Sequence, residues 1–106
     1  MQTPRLAAVG FFGLMLAALA SAAEHEVTQR DKGFSRESLI IQPGDTVVVK
    51  NEDDVVHNLL SKSGGLELNE LQKSGEKTKI VFKDAGQWVI RCAIHPKMKL
   101  TINVQR

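Results

Sequence analysis

Three side chains that can bind a metal follow one another at three-residue intervals near the C-terminus of this 106-residue chain. They are Cys92, the only cysteine, then His95 and Met98, and a second imidazole, His57, lies upstream. Two imidazoles and a thiolate in a plane, with a weak axial thioether, are the ligands that copper takes in one-electron transfer sites. The four side chains therefore predict a copper site with His57, Cys92 and His95 in the plane and Met98 on the axis.

Each of these residues also has a purely structural interpretation. A lone cysteine is often a small buried apolar residue, and a methionine commonly fills gaps in a core. His57 lies within the apolar run 55–60 and could be a hydrogen-bonded core histidine. The combination of all four residues favours ligation, because none of the structural interpretations explains their spacing.

The first 23 residues have the three-part layout of a secretory signal peptide. Arg5 supplies positive charge, residues 6–20 are uncharged, and small residues follow as far as Ala23. The uncharged run is shorter than the roughly 20 residues that a membrane-spanning helix needs. We expect cleavage after Ala22 or Ala23, and the sequence does not decide between these two sites.

The expected mature chain is one small domain, residues 24–106, exported to the periplasm and free of stable membrane association. Loss of Arg5 leaves 13 of the 14 Lys and Arg residues against 12 Asp and Glu. A balance this even argues against binding to nucleic acid or to a membrane surface. One cysteine cannot form an intramolecular disulfide, so a bound metal is the expected extra source of stability. We expect a monomer.

The remainder of the chain has the pattern of short strands separated by turns. Turn sequences such as Pro43-Gly44-Asp45 interrupt runs rich in β-branched or alternating apolar residues. Leu66, Leu68 and Leu71 fit either a strand or a single helical turn. The predicted strands cover residues 38–42, 46–50, 55–60, 77–82, 87–92 and 100–104. This arrangement is typical of an antiparallel β-sandwich or barrel.

The predicted strands place the metal ligands on rigid supports. Cys92 ends the penultimate strand, Met98 begins the last one, and His95 lies in the loop between them. His57 comes from a strand elsewhere in the sequence.

These motifs resemble the cupredoxins, especially small members such as amicyanin, pseudoazurin and plastocyanin. The landmarks, in family order within residues 34–104, are Pro43-Gly44-Asp45-Thr46-Val47, the acidic turn 51–54, His57-Asn58 and the Cys-x-x-His-Pro-x-Met loop from Cys92. The resemblance implies an all-β Greek-key antiparallel sandwich of seven to eight strands, with one type-1 copper held at one end by His57, Cys92, His95 and Met98.

The resemblance also implies a one-electron carrier between redox proteins and not an enzyme. Relatives serve amine dehydrogenases and nitrite reductases, and nothing in the sequence selects between these partners or identifies the donor and acceptor. The alternative is a periplasmic copper-binding module for trafficking or sensing. A metal-free interaction domain and a small copper enzyme are further alternatives, although no general base or substrate pocket is visible in the sequence.

Two positions depart from the family pattern. Ala93 stands where many relatives have a Thr or Ser that bonds the Asn beside the first histidine, so Asn58 is expected to find a backbone partner instead. Lys97 and Lys99 replace residues that are often apolar or Gly. We therefore expect a partner that presents negative charge near His95 and Lys97.

His25 has two interpretations that depend on processing. Cleavage after Ala22 makes it the third residue, where an amino terminus, two amides and an imidazole can chelate Cu(II) in a square plane. Cleavage after Ala23 removes that arrangement. The simpler expectation is a disordered, exposed histidine near the mature terminus, and the sequence does not decide whether it binds a metal.

Overall fold

The computed structural model describes residues 22–62 and 67–106, in which every regular element is a β-strand. The nine strands are β1 (Glu24–Arg30), β2 (Gly33–Phe34), β3 (Ser38–Ile41), β4 (Thr46–Asn51), β5 (His57–Ser61), β6 (Leu68–Gln72), β7 (Lys77–Val81), β8 (Gly86–Cys92) and β9 (Lys99–Val104). No helix in the described ranges is long and apolar enough to cross a membrane. The predicted signal peptide lies outside these ranges except for Ala22 and Ala23, so its removal stays a prediction.

The strands form two sheets that face each other. One has the order β2-β1-β4-β7 and the other β3-β9-β8-β5-β6. Several neighbours, such as β4 with β7 and β5 with β8, are far apart in sequence, so the chain crosses repeatedly between the sheets in Greek-key fashion. The predicted all-β sandwich is confirmed.

The structure differs from the expected strand plan in three respects. The described residues hold nine strands instead of seven or eight, because β1 and β2 precede the predicted ones. Two pairings are parallel, β1 with β4 and β3 with β9, and the others are antiparallel. The undecided segment containing Leu68 and Leu71 is strand β6. All six predicted strands are present, with ends that move by at most two residues.

Alternating side chains from both sheets fill the core. Each such aliphatic residue contributes about 1.5–3 kcal/mol when it is fully removed from water. Strand β4 lies inside its sheet, and both Val47 and Val49 are completely buried. The core consists of Val27, Leu39, Ile41, Val47, Val49, Leu59, Ile80, Phe82, Trp88, Ile90, Leu100, Ile102 and Val104.

One end of this core is polar. Gln29, Asn51 and Gln72 are at most 1% exposed, and the Gln29 amide donates to Gln72 Oε1 at 2.6 Å. The Asn51 amide donates to the carbonyls of Val55 and Gln72 at 2.9 and 3.2 Å. This buried network joins the two sheets where β4 ends and fixes the chain that leads into β5.

Candidate metal centre

Strands β5 and β8 bring two of the predicted ligands together. His57 is the first residue of β5, Cys92 is the last of β8, and these strands pair antiparallel with Leu59 opposite Cys92. Both ligands are buried, at 0% and 1% exposure. His95 lies in the loop between β8 and β9 and is half-buried. The predicted supports for these three side chains are therefore present.

The three donor atoms form a nearly equilateral triangle. Cys92 Sγ is 3.5 Å from His57 Nδ1 and 3.5 Å from His95 Nδ1, and the two nitrogens are 3.2 Å apart. The centre of such a triangle lies about 2 Å from each corner, close to the roughly 2.0–2.3 Å that imidazole nitrogen and thiolate sulfur make to zinc. Nδ1 of both rings thus faces a space of the right size for a first-row metal ion.

Asp53 fixes the orientation of His57. Its Oδ2 lies 2.7 Å from His57 Nε2, and both side chains are buried. Burial of Asp53 opposes its ionisation, but hydrogen bonds from His57 and from the backbone N–H groups of Lys32 and Asp31 outweigh that effect and lower its pKa. An ionised carboxylate only accepts, so Nε2 carries a hydrogen in this contact, and Nδ1 is the ring atom that can offer a lone pair to the triangle.

The loop that follows Cys92 is held by backbone groups. The Ala93 N–H donates to the Asn58 carbonyl at 2.9 Å, and the Asn58 N–H lies 3.4 Å from Cys92 Sγ. The Asn58 side chain donates to Asn69 Oδ1 at 3.0 Å, so the backbone partner expected for Asn58 is found by its main-chain carbonyl and not by its side chain. The missing hydroxyl at Ala93 is replaced by main-chain contacts of Asn58.

Met98 closes the same loop. It is 2% exposed, immediately precedes β9, and donates its N–H to the His95 carbonyl at 2.9 Å. That bond holds His95 in a turn. The axial role of Met98 stays a prediction.

The donor set fits copper. Among the described residues, His57, Cys92 and His95 form the one group of three or more His, Cys, Asp or Glu side chains with converging ligand atoms. One sulfur and two imidazole nitrogens in a plane suit copper better than the hard cations, which prefer oxygen. This agreement rests on the chemistry of the donors and on the size of their triangle.

The surface beside His95 is apolar with basic edges. Ile94 is 52% exposed, and Pro96 and Lys97 are also exposed. A pocket of about 300 Å³ is lined by Ile94, His95, Pro96, Lys97 and Lys32. Lys32 comes from the β1–β2 hairpin, so a segment distant in sequence completes this surface.

His25 does not join the metal centre. It lies in β1 and its Nε2 is 2.9 Å from Asp45 Oδ2. The expectation of a disordered histidine is therefore wrong, because a strand and a carboxylate hold it.

Sequence reasoning missed Asp53 and Lys32 as parts of the site. The four-residue spacing from Asp53 to His57 was visible, but the acidic turn offered three carboxylates to choose from. The sequence around Lys32 gives no sign that it lies near His95, because only the fold brings these two residues together.

The fold and the donor triangle define a copper-binding β-sandwich, and comparisons with known proteins agree. The family model of the cupredoxin-like domain matches residues 5–104 of this chain. The methylamine utilization protein MauL of Methylorubrum extorquens is 33% identical over 96 residues, covering 88% of this chain and 84% of its own length.

Solved structures show the same fold. Amicyanin from Paracoccus versutus superposes with a TM-score of 0.70 at 23% identity, covering 84% of this chain and 88% of amicyanin. A copper-containing nitrite reductase from Thermus scotoductus gives 0.67 at 27% identity, covering 78% of this chain but only 22% of the reductase. The chain belongs to the cupredoxin family, whose cofactor is copper.

Proposed function

We propose that this protein carries single electrons between redox proteins, using one type-1 copper held by His57, Cys92, His95 and Met98. The observation that supports this most directly is the triangle of Sγ and two Nδ1 atoms with sides of 3.2–3.5 Å. Copper bound there would supply a reversible one-electron couple. The protein supplies a fixed set of donors and a path to the surface.

Rigidity of the donors suits this role. Cu(II) and Cu(I) prefer different geometries, so a carrier benefits from ligands that cannot relax between them. His57 is held by Asp53, and the turn bond from Met98 holds His95. Cys92 ends β8, where it pairs with Leu59 of β5. Little movement should therefore accompany electron transfer.

His95 provides the exit to a partner. It is the one planar ligand that is not fully buried, and Ile94 and Pro96 form an apolar surface around it. Lys32 and Lys97 give that surface positive edges, so we propose a partner with carboxylates around an apolar contact. Apolar contact supplies close approach, and opposite charges favour orientation.

The same proposal covers processing and location. A signal peptide within residues 1–23 is removed by cleavage after Ala22 or Ala23, and the copper domain that follows works as a monomer in the periplasm. The name of MauL points to methylamine utilization. An amine-oxidising enzyme is therefore the first electron donor to test.

The assignment is tested by adding Cu(II) to the exported protein and recording the visible spectrum. We expect an intense thiolate-to-copper band with one copper per chain, and its loss in Cys92→Ser. Ser61→Ala is the control, because Ser61 lies on β5 at the strand end remote from His57. A pale spectrum that Cys92→Ser leaves unchanged would contradict the proposal.

A carrier and a copper-trafficking module use the same ligands but differ in what they release. A carrier should be reduced and reoxidised reversibly while it keeps its metal. A trafficking module should pass copper to an apoprotein faster than it exchanges electrons. Cyclic voltammetry and a transfer assay with a copper-accepting apoprotein distinguish the two.

The axial role of Met98 is tested with Met98→Leu. Leucine keeps the volume but removes the sulfur, so we expect copper to stay bound and the reduction potential to rise, because a weak donor to Cu(II) is lost. Loss of all copper binding, or an unchanged potential, would contradict an axial thioether.

A further inference from the structure

A second carboxylate, that of Asp45, lies at the other end of β4. It is the hydrogen-bond partner of residues at the start of the domain. Asp45 Oδ1 accepts the Ala23 backbone N–H at 3.0 Å, and Oδ2 accepts the Gln42 N–H at 3.0 Å. His25 Nε2 lies 2.9 Å from the same Oδ2. Asp45 is only 6% exposed, whereas Ala23 is exposed. A buried carboxylate thus reaches the residue beside the expected cleavage site.

The backbone fixes this contact from both sides. Strand β1 pairs parallel with β4 in a register that places Glu24 opposite Thr46, and the Thr46 N–H donates to the Ala23 carbonyl at 2.9 Å. Hydrogen bonds from Ala23, Gln42 and His25 lower the pKa of the Asp45 carboxyl from 3.8 to about 2. Asp45 is therefore an anion at physiological pH, and its position relative to the Ala23 nitrogen is set.

We propose that Asp45 is the receptor for the α-ammonium group of Ala23, which cleavage after Ala22 creates, and that this contact withholds the mature amino terminus from Cu(II). The inference rests on the signal-peptide part of the proposed function. An α-amino group has an ordinary pKa of about 7.7–8.0 and is mostly charged at neutral pH. Cleavage at this bond converts a neutral amide donor into a charged donor already beside a carboxylate.

The same contact opposes chelation of Cu(II) by Ala23-Glu24-His25. That chelate needs the terminal nitrogen, two deprotonated amides and the His25 imidazole in one square plane. Here the terminal nitrogen and the imidazole are both bonded to Asp45, and residues 24 and 25 are paired with β4. Cu(II) must break these bonds to bind, so copper is directed to the thiolate site.

The charge contact is tested with three copper-loaded chains that begin at Ala22, Ala23 and Glu24. The Ala22 chain is the matched control, since its Ala23 nitrogen is an uncharged amide. We expect the highest melting temperature for the Ala23 chain and the lowest for the Glu24 chain, and an exported protein whose intact mass corresponds to a start at Ala23. Equal melting temperatures, or an exported protein that begins at Glu24, would overturn the proposal.

The withholding of copper is tested by titrating Cu(II) into the Ala23 chain and its Asp45→Asn variant. We expect one copper in the parent chain and a second in the variant, with the electron paramagnetic resonance of a square-planar nitrogen site that disappears in Asp45→Asn/His25→Ala. A second copper bound equally tightly by the parent chain would refute the idea. The thiolate band in the same samples reports separately on the main site, so its absence would count against the electron-carrier proposal alone. Should Asp45→Asn fail to fold, the three starting points still decide the matter.

Discussion

Asp45 and Asp53 flank strand β4 and receive the same kinds of donor, yet only one of them lies at the metal centre. Each accepts two backbone N–H groups and faces one histidine Nε2, that of His25 at 2.9 Å and that of His57 at 2.7 Å. The six residues of β4 separate them by about 20 Å. A carboxylate that fixes an imidazole therefore occurs at both ends of β4 and does not itself make a metal site.

The difference lies on the other side of each imidazole. His57 is fully buried, and its Nδ1 converges with Cys92 Sγ and His95 Nδ1. The His25 side chain is 28% exposed and has no thiolate beside it. What distinguishes the copper end is Cys92 at the end of β8 and His95 in the loop that follows, which bring two more donor atoms to a ring that is already oriented.

The largest effect that tests this comparison is expected from exchanging each histidine for glutamine. His57→Gln removes one of three planar donors, so we expect the thiolate-to-copper band to disappear. His25→Gln serves as the matched change at the other end and should leave that band at full intensity. Absorption spectroscopy after addition of one equivalent of Cu(II) measures both. Loss of the band in His25→Gln would show that the two ends are not independent.

The second test exchanges the two carboxylates. Asp53→Asn weakens the hydrogen bond that orients His57, and loss of such a partner costs about 10–100-fold in metal affinity. Asp45→Asn should leave the affinity of the thiolate site unchanged, because it lies at the far end of β4. Competition with a chromophoric Cu(I) chelator measures this site without interference from an amino-terminal Cu(II) chelate. Equal losses in the two variants would contradict a specific role for Asp53.

The contrast between the two ends also shows what the sequence could predict. A run of β-branched residues was sufficient to predict β4, and local alternation was sufficient for β9. Strand β1 was missed because its inward side chains include Val27 and the polar Gln29, so it lacks an apolar alternation. Its parallel pairing with β4 is a long-range contact that no local pattern encodes.

The candidate metal site shows the same difference between local features, which the sequence predicts, and long-range contacts, which it does not. Residue type and spacing predict Cys92, His95 and His57 as ligands, and the structure brings their donor atoms together. The carboxylate that orients His57 could not be predicted, since Asp53 binds a hairpin 21 to 22 residues upstream. At the other end of β4, the contact of Asp45 with Ala23 has a similar span in sequence. Such contacts depend on strand register, which the sequence does not display.

The third test measures how pH changes the contribution of Asp45 to the stability of the fold. The pKa of Asp45 is about 2 in the folded protein against 3.8 ordinarily, so the folded state binds fewer protons than the unfolded state in that range. The stabilisation is full above about pH 4 and is lost as the pH falls toward 2. Urea unfolding of the copper-free protein should show this loss, and Asp45→Asn should make the slope shallower, with a remaining slope from Asp53, whose pKa is also lowered. Asp54→Asn, at an exposed position, is the control and should keep the slope of the parent protein.

The smallest effect is expected at the loop itself, from Ala93→Thr. The substitution restores the hydroxyl that many relatives have beside the cysteine. The Ala93 N–H already bonds the Asn58 carbonyl and the Asn58 amide already donates to Asn69, so both groups are held without the new hydroxyl. Ala93 is exposed, and changes at such positions usually alter stability by no more than about 0.5 kcal/mol. Thermal unfolding and voltammetry should therefore match the parent protein. A clear rise in stability would mean that the new hydroxyl bonds the Asn58 side chain and that main-chain contacts alone do not hold the copper loop as firmly as this added bond.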